Sequence, residues 1–121
     1  MATETGEEVM SVLEIVEAFG LAWADHDLDA AMRFLSDDCI FDSTAPAPDG
    51  SRHVGHDEIR RAWGPIFNDA SSRFEAEETF FTDDRVVQRW RYDWDGGHIR
   101  GVDLFKLHDG KITEKLSYVK G

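Results

Sequence analysis

Apolar residues recur every three or four positions over much of the first half of the chain, the spacing of helices that bury one face. The first such stripe predicts a helix over Val9–Trp23. A second helix is predicted over Leu28–Leu35, with Asp27 as its N-cap. The stripe between residues 56 and 67 predicts a third helix. We expect it to kink or break just before Pro65, because proline lacks the backbone donor that a helix needs.

The hydrophobic period changes to two after Ser72, as in strands that bury one face. Four strands are predicted there: Phe74–Phe81, Arg85–Trp94, Ile99–Leu107 and Lys111–Val119. The segments Asp95–Gly97 and Asp109–Gly110 supply the positive backbone angles that tight hairpins need. A shorter strand is predicted over Cys39–Asp42, followed by a loop over Ser43–Ser51, which contains proline and glycine. Helices followed by antiparallel strands indicate an α+β domain.

Alternation along the predicted strand Arg85–Trp94 separates its residues into two faces. The face that we expect to pack on the helices carries Val86, Gln88, Trp90, Tyr92 and Trp94. The opposite face carries Arg89 and Arg91, and Val102 and Leu104 share that outer face on the next strand. This outer face of the sheet is a candidate homodimer surface, with simple solvation as the alternative.

Asp103 lies on the inner face of the predicted strand Ile99–Leu107, in register with Phe105. A carboxylate buried on a sheet face is costly unless it is paired, neutralised or used. Asp103 is therefore a candidate pocket residue, and a structural ion pair with Lys115 or Arg100 is the alternative.

The composition is typical of a soluble globular protein, with 41% hydrophobic and 31% charged residues among 121. This length predicts a single domain over residues 1–121, with the polar and acidic residues 1–8 disordered or frayed. Acidic residues outnumber basic ones by 25 to 13, which gives a net charge of −12. That charge repels nucleic acids and anionic membranes, so neither is an expected partner.

Cys39 is the only cysteine, so no internal disulfide is possible. It is expected to be a small buried residue, because no activating base is adjacent to it. The N-terminus lacks the basic and apolar regions of a signal peptide, and no apolar run reaches the roughly 20 residues that span a bilayer. Together these features predict a cytoplasmic location.

The sequence His53-x-x-His56-Asp57 has a spacing that metal ligands use, but no third and fourth ligands are apparent. We therefore expect no metal and no cofactor, and His56 and Asp57 lie where a helix begins. His53 borders the proline-containing loop and is a candidate for the mouth of a pocket. Large aromatic side chains are candidates for the core or for the wall of a pocket that holds a small apolar molecule. These are Phe19, Trp23, Trp63, Phe67, Trp90 and Tyr92.

Four segments, in this order and spacing, resemble those of SnoaL-like and ketosteroid-isomerase-like proteins of the nuclear transport factor 2 superfamily. They are Ala24–Asp29, Phe34–Asp42, Gly55–Ile59 and Asp103–Ile112. The resemblance implies a cone-shaped α+β fold, in which a curved, mixed and mostly antiparallel sheet wraps around three helices, as in cystatin-like rolls. It also implies a deep apolar pocket and a homodimer, whereas activities differ widely across the superfamily.

Within the ketosteroid isomerase pattern, the resemblance gives Asp42 the position of the general base and Asp103 that of the oxyanion-hole acid. The alternative for Asp42 is a strand-end carboxylate that caps the following turn. Phe19 occupies the position of the isomerase's tyrosine donor, and loss of one such donor costs a factor of about 10² to 10³ in rate. The candidates for a replacement donor are Gln88, Tyr92 and Ser117.

Two functions remain compatible with these residues. The first is a cofactor-independent enzyme that transfers a proton next to a carbonyl of an apolar molecule, as an isomerase, cyclase or dehydratase does, with Asp42 and Asp103 as catalytic residues. The second is a non-catalytic ligand-binding or dimerisation module of the same fold, which Phe19 in place of a tyrosine favours.

Overall fold

The computed structural model describes residues 11–120, so residues 1–8 and the first position predicted as helical, Val9, lie outside the described part. The first half of the chain forms α1 (Val12–Ala24), α2 (Leu28–Arg33), β1 (Leu35–Asp42), β2 (Arg52–Val54) and α3 (His56–Phe67). The second half forms β3 (Arg73–Thr82), β4 (Arg85–Trp94), β5 (Gly97–His108) and β6 (Lys111–Val119). No helix in this described range is long and apolar enough to cross a membrane.

The six strands form one sheet in the order β2-β1-β6-β5-β4-β3. Every neighbouring pair is antiparallel except β1 and β6, which run parallel. The prediction of an α+β fold with a mixed, mostly antiparallel sheet and three helices is confirmed. The parallel pair joins the first half of the chain to its last strand, and it places β1 beside β6, whose other neighbour is β5.

Helix α1 begins with a reciprocal pair of hydrogen bonds that the apolar stripe did not reveal. The Ser11 hydroxyl accepts from the backbone N–H of Glu14 at 3.1 Å, and the Glu14 carboxylate accepts from the backbone N–H of Ser11 at 2.9 Å. This capping box satisfies two donors that have no partner within the helix. It starts α1 at Val12.

The Asp27 N-cap of α2 is confirmed, since its carboxylate accepts from the backbone N–H of Ala30 at 3.1 Å. The predicted end at Leu35 is wrong, because α2 stops at Arg33 and Leu35 already belongs to β1. The cause is tertiary pairing. Leu35 is in register with Ile112 of β6, whose backbone N–H donates to the carbonyl of Phe34 at 2.8 Å.

Helix α3 continues through Pro65, so of the predicted kink or break, the break is wrong. The proline lies near the end of the helix, and the backbone N–H of Asn68 still donates to the carbonyl of Gly64 at 3.0 Å. Trp63 and Phe67, on either side of the proline, are 0% and 6% exposed. Burial of these two rings stabilises the helix on both sides of the missing backbone bond.

The four long strands lie where the period-two pattern predicts them, to within two residues at each end. The predicted hairpin residues have positive φ angles, with Gly96 at 108°, Asp109 at 51° and Gly110 at 77°. Strand β2 was not predicted, because three residues are too few to show an alternation. It pairs with β1, in a register that places His53 opposite Phe41.

Candidate functional site

A cavity of about 340 Å³ lies between the inner face of the sheet and helices α1 and α3. This size is within the range of pockets that hold small organic ligands. Its wall is mostly apolar and is formed by Phe19, Trp23, Phe41, Ala62, Ile66, Phe74, Trp90, Ile99 and Phe105. The remaining lining residues are Ser43, Thr44, Ala45, Ser51, His53, Gln88, Tyr92, Asp103, Lys115 and Ser117. The cavity is thus an apolar space with its polar groups on a limited part of the wall.

Most of those polar groups fall on one line that crosses the sheet. Asp103 is in register with Ser117 on one side and with Gln88 on the other, and Gln88 is in register with Thr79. Ser43 directly follows Asp42, which is in register with Leu116, the neighbour of Ser117. Ser51 adjoins Ser43, whose backbone N–H donates to the Ser51 carbonyl at 2.8 Å. We call this line the polar row; its members are Ser51, Ser43, Ser117, Asp103, Gln88 and Thr79, and all but Thr79 line the cavity.

Asp103 forms an ion pair with Lys115 at the middle of the polar row. The ammonium nitrogen Nζ of Lys115 lies 3.2 Å from Oδ2 of Asp103, and it donates to the hydroxyl of Ser117 at 3.1 Å. The side chain of Asp103 is 4% exposed and that of Lys115 is 9% exposed. The sequence left a pair with Lys115 or Arg100 open as the alternative for Asp103, and the partner is Lys115. Arg100 instead pairs with Glu77 at 3.2 Å.

Three aromatic rings surround the Lys115 ammonium. Its nitrogen lies 4.9 Å from the ring centre of Phe41, 5.3 Å from that of Trp23 and 5.8 Å from that of Trp63. Each distance is short enough for a cation–π interaction, which strengthens when the cation is removed from water. The ammonium is therefore held by one carboxylate, one hydroxyl and three ring faces.

Several buried polar atoms at the cavity wall lack a hydrogen-bond partner. Among the described residues these are Oδ1 of Asp103 and the indole nitrogens of Trp23 and Trp90. A buried unpaired donor or acceptor costs about 1–3 kcal/mol. A bound molecule that carries an acceptor and a donor would satisfy these atoms, and an ordered water would do so in its absence.

The mouth of the cavity carries a small cluster of hydroxyls around His53. Its Nε2 lies 3.1 Å from the hydroxyl of Ser51, which lies 3.0 Å from that of Ser43. The imidazole also stacks on Phe41, with ring centres 5.7 Å apart. His56, by contrast, bonds the carbonyl of Leu35 through its own Nε2 at 3.1 Å. Within residues 11–120 no group of three or more His, Cys, Asp or Glu side chains could hold a metal.

Asp42 is not brought to the cavity. Phe41 and Ser43 line it, so Asp42 between them points to the other face of β1. There its two carboxylate oxygens accept from the Arg52 guanidinium at 2.7 and 2.9 Å. These hydrogen bonds lower the pKa of the Asp42 carboxyl. The structure therefore corrects the placement of Asp42 at a pocket with Asp103, because strand alternation turns the two carboxylates to opposite faces.

The expected aromatic residues divide between cavity wall and core. Phe19, Trp23, Trp90 and Tyr92 lie in the wall, as do His53, Gln88 and Ser117 among the other predicted pocket residues. Trp63 and Phe67 do not line the cavity, and this corrects their assignment to the pocket. They pack in the core behind Trp23, with ring centres 5.2 and 4.5 Å from its ring.

Trp90 reaches the cavity because the residue opposite it in the sheet is a glycine. Gly101 is in register with Trp90. A Cβ atom at Gly101 would lie 2.5 Å from the Trp90 ring and would also clash with the carbonyl oxygen of Tyr118. The missing side chain at Gly101 thus lets the indole pack closely against β5.

Two further titratable groups near the site remain protonated at neutral pH. Burial raises the pKa of the Cys39 thiol to about 12, and Cys39 is 0% exposed, which matches the prediction of a small buried residue. Burial also raises the pKa of Tyr92, which lines the cavity. The Tyr92 hydroxyl is therefore available as a hydrogen-bond donor to a bound molecule.

Sequence reasoning missed Lys115, Phe41, Ser43 and Ser51 as cavity residues. A signal for part of this set was present. Ser117 was placed in the pocket, and alternation from Ser117 puts Lys115 on the same face. Alternation from the buried Cys39 likewise puts Phe41 and Ser43 on the inner face, and Asp42 on the outer one. The clustering around His53 depends on the pairing of β1 with β2, which no local pattern reveals.

The described geometry agrees with the comparison to known proteins. A family model for the SnoaL-like domain matches residues 16–115. The chain is 40% identical to a nuclear transport factor 2-like protein of unknown function from Mesorhizobium loti, with 91% of each chain covered and a TM-score of 0.83. Among proteins of curated function, no sequence matches.

More distant structures share the fold alone. A candidate polyketide cyclase from Sinorhizobium meliloti is 22% identical, with 90% of this chain and 100% of that one covered and a TM-score of 0.75. A protein of unknown function with a cystatin-like fold from Xanthomonas campestris is 19% identical, with 93% and 92% covered and a TM-score of 0.80.

Proposed function

Because the chain belongs to the SnoaL-like domain family, we propose that it is a small-molecule enzyme that acts on an apolar carbonyl compound held in the cavity. The reaction is a proton transfer next to the carbonyl, of the type used by isomerases, cyclases and dehydratases. The observation that carries the proposal is the Asp103–Lys115 ion pair, which is the one buried charge pair among the described residues and lies in an aromatic cavity wall.

Asp103 is the base in this proposal. Its Oδ1 has no hydrogen-bond partner, so a lone pair is free to accept a proton from the carbon next to the carbonyl. The resulting negative charge develops on the carbonyl oxygen. Lys115 and the unpartnered indole N–H groups of Trp23 and Trp90 are donors that stabilise that charge. Return of the proton from Asp103 to another carbon completes an isomerisation.

These roles differ from those that the isomerase pattern implies. Asp42 has no part, since its carboxylate pairs with Arg52 on the other face of the sheet. Phe19 contributes a ring to the cavity wall and no hydroxyl. The phenol that lines the cavity is Tyr92, on β4. We assign to Tyr92 and Gln88 the role of orienting the substrate in the cavity.

The proposal is tested by deuterium exchange into 2-tetralone, a bicyclic ketone with acidic hydrogens next to its carbonyl. In deuterated water, NMR follows the loss of those hydrogens with and without the protein. The wild-type protein is expected to accelerate the exchange, and Asp103→Asn to slow it by a factor of about 10². The matched variant Asp42→Asn removes the carboxylate on the outer face and is expected to exchange like the wild type.

Circular dichroism at the assay temperature shows whether each variant is folded. Equal exchange rates for the wild type and a folded Asp103→Asn variant would exclude Asp103 as the base. Exchange by the wild type at the rate of buffer would contradict the catalytic part of the proposal.

A second candidate is a binding module without catalysis. It is favoured by the contacts of Lys115, whose ammonium is already satisfied by Asp103 and Ser117 of the protein itself. In that case 2-tetralone raises the midpoint of thermal unfolding, as a ligand of the folded state does, while exchange stays at the buffer rate.

We also propose that the protein forms a homodimer through the outer face of the sheet. An apolar line crosses four strands of that face, because Val87 is in register with Phe80 and with Leu104, and Leu104 with Leu116. Phe80 is 51% exposed, which leaves a large apolar ring in water. Beside this line, the Arg89–Glu78 ion pair presents both charge signs, which suits a surface that meets a copy of itself.

The dimer is tested with Leu104→Glu, which puts a charge on the apolar line. We expect the wild type to have the mass of two chains in sedimentation equilibrium, and the variant to dissociate at least tenfold more readily, as about 1.4 kcal/mol of lost interface energy implies. Leu21→Glu is the matched control, because Leu21 is 67% exposed on helix α1. A wild-type protein with the mass of one chain would refute the interface.

A further inference from the structure

Lys115 places a primary amine inside the cavity. The chain has four lysines, and all of them lie among the described residues. Lys115 is 7% exposed and lines the aromatic cavity, whereas Lys106, Lys111 and Lys120 lie at the surface or partly buried outside it. An amine in an apolar pocket is a nucleophile for carbonyl compounds once it has lost its proton.

The neighbours of Lys115 supply what such a reaction requires. Asp103 is 3.2 Å from the nitrogen and is placed to take a proton from the ammonium. That transfer replaces an ion pair by two neutral groups, which an apolar environment solvates at lower cost than it does charges. The three aromatic rings around the nitrogen hold it at a fixed place in the cavity wall through cation–π contacts. Ser117, at 3.1 Å, is a hydroxyl that can hydrogen-bond the oxygen of the adduct.

We propose that Lys115 forms an imine with the carbonyl carbon of an apolar aldehyde or ketone bound in the cavity. Asp103 takes one proton from the ammonium, and the nitrogen lone pair forms a bond to the carbonyl carbon while the oxygen gains that proton. The carbon–oxygen bond then breaks, and the oxygen leaves as water with a second proton from the nitrogen. The balance is one carbonyl compound and one ammonium giving one protonated imine and one water.

The inference rests on the proposed binding of a carbonyl compound and extends it. A protonated imine withdraws electrons more strongly than a carbonyl group does, so the hydrogen on the neighbouring carbon becomes more acidic. Asp103 lies next to the imine nitrogen and would remove this hydrogen as a proton. In this route Lys115 acts through the imine nitrogen instead of as a donor to the carbonyl oxygen, and the covalent step would lower the barrier of the proton transfer that we assign to this site.

The test is reductive trapping with 2-naphthaldehyde and sodium cyanoborohydride, which converts an imine to a stable secondary amine. Peptide mapping by mass spectrometry then gives the rate of modification at each lysine of the wild-type protein. We expect Lys115 to be modified at least about tenfold faster than Lys106, Lys111 and Lys120, because the cavity holds the aldehyde against its amine. Labelling of Lys115 no faster than that of the other three overturns the inference.

A second compound, 2-naphthalenemethanol, separates this inference from the proposed function. It has the same rings without a carbonyl, so it should compete for the cavity and slow modification of Lys115 alone. If the alcohol raises the midpoint of thermal unfolding while Lys115 stays unmodified by the aldehyde, imine formation is wrong and binding in the cavity stands. If the alcohol neither binds nor competes, and Lys115 stays unmodified, both imine formation and the proposed binding of such compounds are wrong.

Discussion

Replacing Lys115 by methionine is expected to lower the free energy of unfolding by about 3–5 kcal/mol. The substitution keeps most of the side-chain volume but leaves the Asp103 carboxylate, which is 4% exposed, without its counter-ion. It also removes a cation that three aromatic rings surround. The unpaired carboxylate must then either stay charged in an apolar environment or take up a proton, and both lower the stability at neutral pH.

Urea unfolding, followed by tryptophan fluorescence, measures this loss. Asp103→Asn completes the comparison, and the double variant Asp103→Asn/Lys115→Met removes both charges. We expect the double variant to be more stable than the sum of the two single losses predicts, because no buried charge remains unpaired in it. Lys120→Met is the control at an exposed position, with an expected change within about 0.5 kcal/mol. Additive losses in the double variant would mean that the two groups do not act as a buried pair.

Trp63→Ala is expected to cost about 3–5 kcal/mol of the free energy of unfolding. The indole is 0% exposed and lies at the centre of the aromatic cluster, with ring centres 5.2 Å from Trp23, 5.3 Å from Phe41 and 5.8 Å from Phe19. All three of these neighbours line the cavity, and Trp23 and Phe41 also contact the Lys115 ammonium. The alanine variant therefore opens a void behind the cavity wall, and its lining atoms lose their contacts.

The matched control is Trp94→Ala, which removes the same side chain from a position that is 37% exposed. Its expected cost is smaller, about 1–2 kcal/mol, since more than a third of the Trp94 surface is exposed to water in the folded protein. Urea unfolding of both variants gives the comparison, with Trp63→Phe as a third variant that keeps a ring in the core. Equal losses at positions 63 and 94 would show that the aromatic cluster does not support the fold as described.

The residues around Asp103 show how far local patterns reach. Alternation along β5 predicts that Asp103 faces inward, and it is 3% exposed. The same rule applied to β1 turns Asp42 outward, whereas the family resemblance suggested a pocket position for it. Asp42 lies outside the cavity lining while Phe41 and Ser43 are part of it, because successive side chains of an extended strand must point to opposite faces.

The helices show what a local pattern leaves undecided. The stripe on α3 predicts that Trp63 and Phe67 are buried, and they are. It does not tell whether they meet the core or the cavity. That choice depends on how α3 packs against α1 and the sheet, and the packing puts Ala62 and Ile66 at the cavity and the two rings behind it.

The sequence by itself determined the α+β class, the four long strands with their hairpins, and the inward side chain of Asp103. These follow from interactions between residues close together along the chain, namely strand alternation and turn geometry. Only the tertiary structure decided that Lys115 is the partner of Asp103, that β1 pairs with β6, and that Ser43, Ser117 and Asp103 share one row. Those contacts join segments far apart in the chain, and their pairing is set by burial of the whole aromatic core rather than by any local pattern.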